Sequence, residues 1–375
     1  MANILDYIKL RGNKTFKEEP LNEVDELIFS HLSYIDFETT STGLTLFNAY
    51  QQSKINKIDK NIKPYLWARM GSDKTYSQTH SSQRFKDIIL VNQINIISEK
   101  QRTQFSATCF KISDNHYCIA FRGTDETVIG WQEDLMLCYQ EEIPAQRYAK
   151  AYLEKTLTLF EGTFSLSGHS KGGNLAIYAG CTQIQELQHR ICSIRNYDGP
   201  GFLENVILRS SFVTNQDKIT NYITENSIFG NLLYPIGKQI IIKSNAFKYF
   251  EHQILSFMVT KTTLYETDKL SKEATIIKES IKSFLDSQSL DELQEVSELL
   301  FFNIDQALTN YNVFQMTNDD FISLTKMIIR MPKKTRRIIL SPIKDLIDEV
   351  TRRQRLDRVQ RLRRIIWLYQ NKPTT

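Results

Sequence analysis

The sequence has few cysteines, no long apolar run and little glycine, and each shortage excludes a class of protein. The five cysteines among 375 residues are scattered and never form a Cys-x-x-Cys pair, which favours free thiols in a reducing cytosol over disulfides or a zinc site. No apolar run approaches the roughly 20 residues of a membrane-spanning helix, and the first residues contain no secretory signal. We therefore expect a cytoplasmic protein, and nothing in the sequence implies a metal or an organic cofactor.

The few glycines are unevenly distributed. The chain has 14 glycines, and nine of them lie between Gly123 and Gly201. Glycine is used where the backbone turns sharply or approaches another group closely, so we expect the functional site in this window. The remaining composition, with 41% hydrophobic and 24% charged residues, predicts a large core and excludes a mostly disordered chain.

Two kinds of periodicity divide the chain into three parts. Residues 1–85 carry helical patterns with a polar loop at 71–83, and residues 259–375 are helical again, over 269–284, 290–301, 322–330 and 342–369. Between them, residues 86–258 contain short strand-like runs that alternate with helical patterns, at 104–112, 116–122, 163–167, 191–197, 219–224 and 239–242. This alternation predicts an α/β core, with a mostly parallel sheet and helices on both faces.

One segment in the glycine-rich window has the pattern of a nucleophile elbow. Gly168-His-Ser170-Lys-Gly172 matches Gly-x-Ser-x-Gly and lies between a predicted strand and a predicted helix. In such an elbow a tight turn exposes the serine hydroxyl at the carboxyl edge of the sheet, and the glycines leave room for the adjacent strand and helix. We therefore expect Ser170 to be a catalytic nucleophile, and the alternative is a glycine-rich turn with a structural serine.

A serine nucleophile needs donors for the oxyanion that forms when it attacks a carbonyl. Lys171, the first residue of the following helix, would supply one backbone N–H. Thr124 would supply the second, because it follows a strand that ends in Arg122-Gly123, where glycine lets the backbone turn. An ordinary turn at 122–125 is the alternative.

The base that activates Ser170 should be a histidine. The chain has six, which are His31, His80, His116, His169, His189 and His252. In hydrolases with this layout the chain order is serine, acid, histidine, and His252 alone follows the last predicted strand. His169 adjoins the serine but should point away from it on a sharp turn. We therefore expect His252 to be the base and His169 to belong to the packing of the elbow.

Two carboxylates are candidates for the acid that orients the histidine. Asp198 directly follows the strand after the elbow strand, in a loop that Gly199-Pro-Gly201 would hold. Glu225 follows the next strand. We expect Asp198 and keep Glu225 as the alternative, since Asp198 could instead serve only to cap its turn.

These residues resemble the α/β-hydrolase superfamily. Class 3 lipases have a similar Phe-Arg-Gly-Ser/Thr…Trp…Asp segment and a similar Gly-His-Ser-x-Gly-Gly elbow, which here are residues 121–124, Trp131, Asp134 and residues 168–173. From Ala2 to His252 the chain is most similar to a bacterial family of Mbeg-like proteins, whose α/β-hydrolase domain has no assigned function. The resemblance implies a triad of Ser170, Asp198 and His252 on an α/β-hydrolase fold.

The position of the acid departs from the class 3 pattern. Those lipases place it in an Asp-x-Val-Pro segment after the next strand, where this chain has Asn226-Ser-Ile-Phe229. The Asp198-Gly-Pro segment is instead similar to the Asp-Pro-Ala segment of pancreatic-type lipases, whose acid follows the earlier strand. This second similarity favours Asp198.

The C-terminal region is strongly basic. Residues 332–375 carry a net charge of +9, so the remaining residues carry −5. Leu356, Val359, Leu362, Ile366 and Tyr369 are spaced to share one face of a helix, with arginines on the rest. This helix could pack on the core or on a second copy of the chain, or lie on an anionic membrane surface with Trp367 at the headgroups. Binding of nucleic acid is the least favoured alternative, and the oligomeric state is left open.

The sequence therefore predicts an enzyme that hydrolyses a carboxylic ester, such as an acylglycerol, a phospholipid or a short-chain ester. Ser170, His252 and Asp198 would perform the reaction, with the N–H groups of Thr124 and Lys171 as oxyanion donors. The alternative is a catalytically silent hydrolase fold, a scaffold that binds a membrane surface or a partner through its basic helix.

Overall fold

A computed structural model of the chain describes residues 2–37, 41–55, 71–125, 127–307 and 332–370, together with residues 323, 326, 327 and 330. The strands are β1 (Ile89–Ser98), β2 (Thr103–Ser113), β3 (His116–Phe121), β4 (Thr163–His169), β5 (Ile191–Tyr197), β6 (Ile219–Thr224), β7 (Lys238–Ile242), β8 (Val259–Thr260), β9 (Thr263–Leu264) and β10 (Glu266–Thr267). The helices are α1 (Ile4–Arg11), α2 (Glu23–Leu32), α3 (Leu46–Ile55), α4 (Ser72–Thr79), α5 (Val128–Met136), α6 (Pro144–Leu159), α7 (Lys171–Cys181), α8 (Gln185–Gln188), α9 (Glu204–Ile207), α10 (Ser210–Asn215), α11 (Lys272–Asp286), α12 (Leu290–Ala307) and a C-terminal helix (Lys333–Gln370).

Within the described ranges, one large sheet has the strand order β1-β2-β3-β4-β5-β6-β7-β10. Strands β3 to β7 are parallel, whereas β1, β2 and β10 pair antiparallel at the two edges. The predicted α/β fold with a mostly parallel sheet is thus confirmed. Because parallel strands end at the same edge of a sheet, the residues that follow β4, β5 and β6 lie side by side.

Different parts of the chain cover the two faces of the sheet. One face packs on α6 and α7, in a core that includes Ile119 and Phe121 of β3. The other face packs on the N-terminal segment, and there Cys118 and Ala120 of the same strand contact the apolar side chains of α2. This division follows from the two-residue period of a strand, which sends alternate side chains to opposite faces.

Helix α2 is buried on all sides because it lies between the sheet and other N-terminal helices. Its residues 24–32 are all buried. Asp25 on this helix pairs with Arg84 at 2.5 Å, and both side chains are fully enclosed. Arg84 also donates to the backbone carbonyls of Lys14, Glu19 and Pro20. These additional bonds offset part of the desolvation cost of burying two charges.

The C-terminal region packs on the core through several contacts. The N–H of Ser271, just before α11, donates to the carbonyl of Glu225 at 2.8 Å, and Phe301 of α12 packs on Val128 of α5. Arg353 of the C-terminal helix pairs with Glu279 of α11 at 2.6 Å. None of the helices that the structure describes is both long and apolar enough to cross a bilayer.

Residues 356–369 of the C-terminal helix are those that would contact a membrane or a nucleic acid. Leu356 is 49% exposed, whereas the side chains of Val359, Leu362, Ile366, Trp367 and Tyr369 lie outside the described residues. Most of the predicted helix at 322–330 also lies outside them. The surface that this helix contacts, whether the core, a second copy of the chain, a membrane or a nucleic acid, therefore stays a prediction.

Three segments differ from the sequence-based expectations. The predicted loop at 71–83 contains α4, whose buried residues include Thr75 and Thr79 and are too polar to produce an apolar period. Strand β1 was not predicted, because most of its residues are only partly buried and its pattern is mixed. Strands β8 to β10 extend the sheet region to Thr267, past the expected boundary at 258, since two-residue strands leave no alternation to detect.

Candidate active site

Ser170 occupies the turn between β4 and α7, at the carboxyl edge of the sheet. Its backbone has φ 57° and ψ −135°, a conformation that is costly for a residue with a side chain. The Ser170 N–H holds the turn by donating to the Tyr197 carbonyl at 3.0 Å. A Cβ at Gly172 would lie 2.1 Å from the carbonyl oxygen of Phe121, and one at Gly168 would lie 2.1 Å from that of Gly172. Both glycines are therefore needed for this close approach of strand and helix.

Asp198 and His252 form a hydrogen-bonded pair at the same edge. Nδ1 of His252 lies 2.7 Å from Oδ2 of Asp198, and the carboxylate is fully buried whereas the imidazole is 16% exposed. The second carboxylate oxygen accepts the N–H of Thr224 at 3.2 Å. Asp198 directly follows β5, and His252 ends the short 3-10 turn Lys248–His252 after β7. The carboxylate can therefore orient the imidazole and stabilise its protonated form.

Glu225, the alternative acid, lies in a different environment. Its carboxylate is 4.0 Å from Nζ of Lys243 and is 35% exposed. Among the described residues no hydrogen bond or ion pair joins Glu225 to His252. The structure thus brings Asp198, and not Glu225, to the histidine.

His169, the residue before Ser170, links the elbow to the segment that carries His252. The rings of His169 and His252 have centroids 4.5 Å apart, and Nε2 of His169 donates to the His252 carbonyl at 2.7 Å. Within the described part of the chain, the Ser170 hydroxyl itself makes no hydrogen bond. A bond between nucleophile and base commonly tightens only when substrate binds, so the predicted Ser170–His252 bond stays a prediction.

The two predicted oxyanion donors are free to bind a ligand. The backbone N–H groups of Thr124 and Lys171 have no hydrogen-bond partner among the residues that the structure describes. Gly123, next to Thr124, lies close to Ser170, since a Cβ at Gly123 would lie 3.0 Å from the Cβ of Ser170. The Thr124 hydroxyl is already engaged with both carboxylate oxygens of Asp134 at 2.7 Å. The backbone N–H, and not the hydroxyl, is therefore the available donor at Thr124.

The side chain of Lys171 enters a buried ion pair that sequence reasoning missed. Its Nζ lies 2.8 Å from Oε2 of Glu133 and 3.8 Å from Oδ1 of Asp134. Glu133 also accepts from the Thr103 hydroxyl and from the Ala145 N–H. Burial alone would lower the pKa of Lys171, but the two carboxylates outweigh burial and raise that pKa. These two ion pairs tie α7 to α5. No group of metal-ligating side chains is found in the described ranges.

Tyr34, which sequence reasoning also missed, links the N-terminal segment to the elbow. Its hydroxyl donates to Nδ1 of His169 at 2.9 Å, while Nε2–H of His169 donates to the His252 carbonyl. Burial and the neighbouring His252 lower the pKa of His169 well below its usual value, so the ring is neutral and this tautomer serves both bonds. His169 therefore positions the backbone of His252, which goes beyond the packing role expected from the sequence.

The buried His169 predicts a loss of stability in acid. The unfolded chain binds a proton at His169 near pH 6.5, whereas the folded chain does not, so the stabilisation is complete above that pH and falls as the pH decreases. Between pH 6.5 and pH 5 this group should cost at most about 2 kcal/mol of the free energy of unfolding. Urea unfolding at both pH values should show that His169→Gln removes this part of the pH dependence.

The exposed His189 supplies the control for this measurement. His189→Gln should keep the pH dependence of the wild type. An unchanged pH dependence in His169→Gln would show that His169 is not held neutral in the folded protein.

The parallel sheet and the serine on its strand–turn–helix elbow define an α/β-hydrolase fold. The family model described as Mbeg1-like matches residues 79–302, which is more than half of the chain. The chain therefore belongs to the Mbeg1-like family, in agreement with the resemblance seen in the sequence.

Solved structures with some similarity include two proteins from fungi of the genera Penicillium and Rhizomucor. A mutant form of MDLA from Penicillium cyclopium is 13% identical, with 66% of this chain and 87% of that chain covered and a TM-score of 0.38. Native Rhizomucor miehei lipase in its propeptide complex is 14% identical, with 59% of this chain and 68% of that chain covered and a TM-score of 0.36. A comparison with curated proteins finds no match.

Proposed function

We propose that the protein is a serine hydrolase that cleaves carboxylic esters, such as acylglycerols, phospholipids or short-chain esters. The observation that carries the proposal is the hydrogen-bonded Asp198–His252 pair at the edge of the sheet where Ser170 occupies its elbow. The N–H groups of Thr124 and Lys171, which have no partner in the described part of the chain, support it further, because hydrolysis of an ester develops negative charge on the carbonyl oxygen.

In the proposed reaction Ser170 attacks the ester carbonyl while Nε2 of His252 accepts the hydroxyl proton. Asp198 accepts the Nδ1–H bond, which fixes the tautomer that leaves Nε2 free to act as a base. The N–H groups of Thr124 and Lys171 bind the oxyanion. His252 then gives its proton to the leaving alkoxide, and water, activated by the same imidazole, hydrolyses the acyl-serine.

The elbow itself favours this chemistry over a structural role for Ser170. The positive φ of Ser170 costs on the order of 1–3 kcal/mol of folding free energy. A glycine would avoid that cost if only the turn were needed. A serine in this conformation is therefore consistent with a requirement for its hydroxyl.

A fluorophosphonate probe tests the proposal, because it phosphonylates a serine only where a base and an oxyanion site activate the hydroxyl. We expect the wild type to be labelled at Ser170, Ser170→Ala to be unlabelled, and His252→Ala to be labelled far more slowly at a temperature at which its melting curve shows it to be folded. His189→Ala is the matched control and should be labelled like the wild type. A folded wild type that resists the probe would support the silent scaffold instead, and equal labelling of His252→Ala would reassign the base.

A further inference from the structure

An apolar groove separates the core from the C-terminal helices. It encloses about 330 Å³, at the lower end of the roughly 300–1,000 Å³ that small-molecule sites occupy. Its aliphatic lining comes from the core, with Leu203 and Leu233, and from α11 and α12, with Ile281, Leu285, Leu290 and Leu293. The groove thus has the size and the lining of a site for one elongated apolar ligand.

One face of α11 forms a wall of this groove. Lys278, Ile281, Lys282 and Leu285 all line it, and their spacing of three and four residues places them on the same side of the helix. Two lysines therefore flank an aliphatic surface on this side of α11.

The polar groups that line the groove differ in whether they have a partner within the protein. Nζ of Lys282 lies 4.8 Å from the centre of the Tyr234 ring, and the Tyr234 hydroxyl donates to Oδ1 of Asp286 at 3.2 Å. Lys278 is partly buried, yet among the described residues it has neither a hydrogen bond nor an ion pair. Within the described ranges the groove therefore offers the ammonium of Lys278, which has no hydrogen bond or ion pair, beside its aliphatic lining, whereas that of Lys282 is held against the Tyr234 ring.

We propose that this groove binds a fatty acid, with the aliphatic chain along the leucines and the carboxylate on Lys278. A monoanion matches the ammonium of Lys278, because that of Lys282 is held over the Tyr234 ring, whereas a phosphate dianion would be repelled more strongly by Asp286 and Glu204, which also line the groove. A peptide is less suitable, because its backbone N–H and C=O groups would lack partners against an aliphatic lining. The site needs no hydroxyl at Ser170, so it is independent of the proposed hydrolase activity.

Titration calorimetry with dodecanoate on the full-length Ser170→Ala protein tests this site without interference from any turnover. We expect one dodecanoate to bind per chain. Lys278→Gln should weaken this binding about tenfold, the size expected for loss of one charge-assisted hydrogen bond. The same substitution should leave the binding of dodecanol, which has no carboxylate, unchanged.

Two further variants test whether the ligand occupies the groove. Ile281→Trp should fill the space and abolish binding of both ligands, while Lys272→Gln, at the exposed start of α11, should bind like the parent. Absence of binding, or binding that Lys278→Gln does not weaken, would overturn the proposal. The melting temperature of Ile281→Trp shows whether that variant is folded. If it is not, the comparison of Lys278→Gln with its parent still decides the proposal.

Discussion

Asp198→Asn should lower kcat by about 10⁴ for whichever nitrophenyl ester the wild type hydrolyses best. Asparagine has the size of aspartate and tolerates the positive φ of position 198, so the fold should survive. Its side-chain amide would donate rather than accept at Nδ1 of His252, or else leave the bond weak, and the imidazole would lose the tautomer that acts as a base. A loss of about this size is what an acid-to-amide change in a serine triad produces.

Glu225→Gln is the matched control, because it makes the same chemical change at the alternative acid. It should leave kcat nearly unchanged, since the Glu225 carboxylate lies near Lys243 and does not contact His252. Steady-state kinetics and melting temperatures of both variants decide the assignment. A large loss in Glu225→Gln together with an active Asp198→Asn would exchange the two roles.

Lys171→Met should lower the free energy of unfolding by about 3–5 kcal/mol, because it strands Glu133 as an unpaired buried charge. Glu133 and Lys171 are both almost fully enclosed, so water cannot replace the lost ammonium. The backbone N–H of Lys171, the proposed oxyanion donor, remains in this variant. Urea denaturation at pH 7 measures this loss.

Two comparisons separate the buried ion pair from a general effect of losing a lysine. Lys243→Met removes a partly exposed lysine, 4.0 Å from Glu225, and should change stability by no more than about 1 kcal/mol. The double variant Lys171→Met with Glu133→Gln should recover part of the loss, because the stranded charge is gone. If Lys171→Met proves as stable as the wild type, the ion pair is not a determinant of stability.

The parallel strands and the elbow could be predicted because their signals are local. Each central strand is a short apolar run, and the Gly-x-Ser-x-Gly spacing is imposed by contacts between adjacent backbone segments, such as that of Gly172 with Phe121. The order of Ser170, Asp198 and His252 along the chain was likewise readable, since each follows the end of a predicted strand. Local patterns therefore located the candidate site.

Contacts between distant segments could not be predicted in this way. Glu133 lies beside Asp134 in an ordinary helical sequence, and only the folded chain shows that it meets Lys171. Tyr34 is separated from His169 by 135 residues. Helix α4 buries polar side chains whose hydrogen-bond partners lie in other elements. Thr75 of α4, for example, bonds to His31 of α2. The sequence of α4 therefore has the polar composition of a loop.

The pairing of β7 with β10 has a consequence for the segment that carries His252. The two strands hold together the ends of the segment 243–265. Two backbone hydrogen bonds strengthen this closure, since the Lys243 N–H donates to the Tyr265 carbonyl and the Met258 N–H donates to the Lys243 carbonyl. Doubling the length of a closed loop costs only about 0.6 kcal/mol of folding free energy, yet a shift of about 1 Å in a reacting group can cost a factor of about 100 in rate. Insertions between residues 245 and 256 would therefore be tolerated by the fold, but they would shift His252 relative to Asp198 and so lower any turnover that depends on this pair.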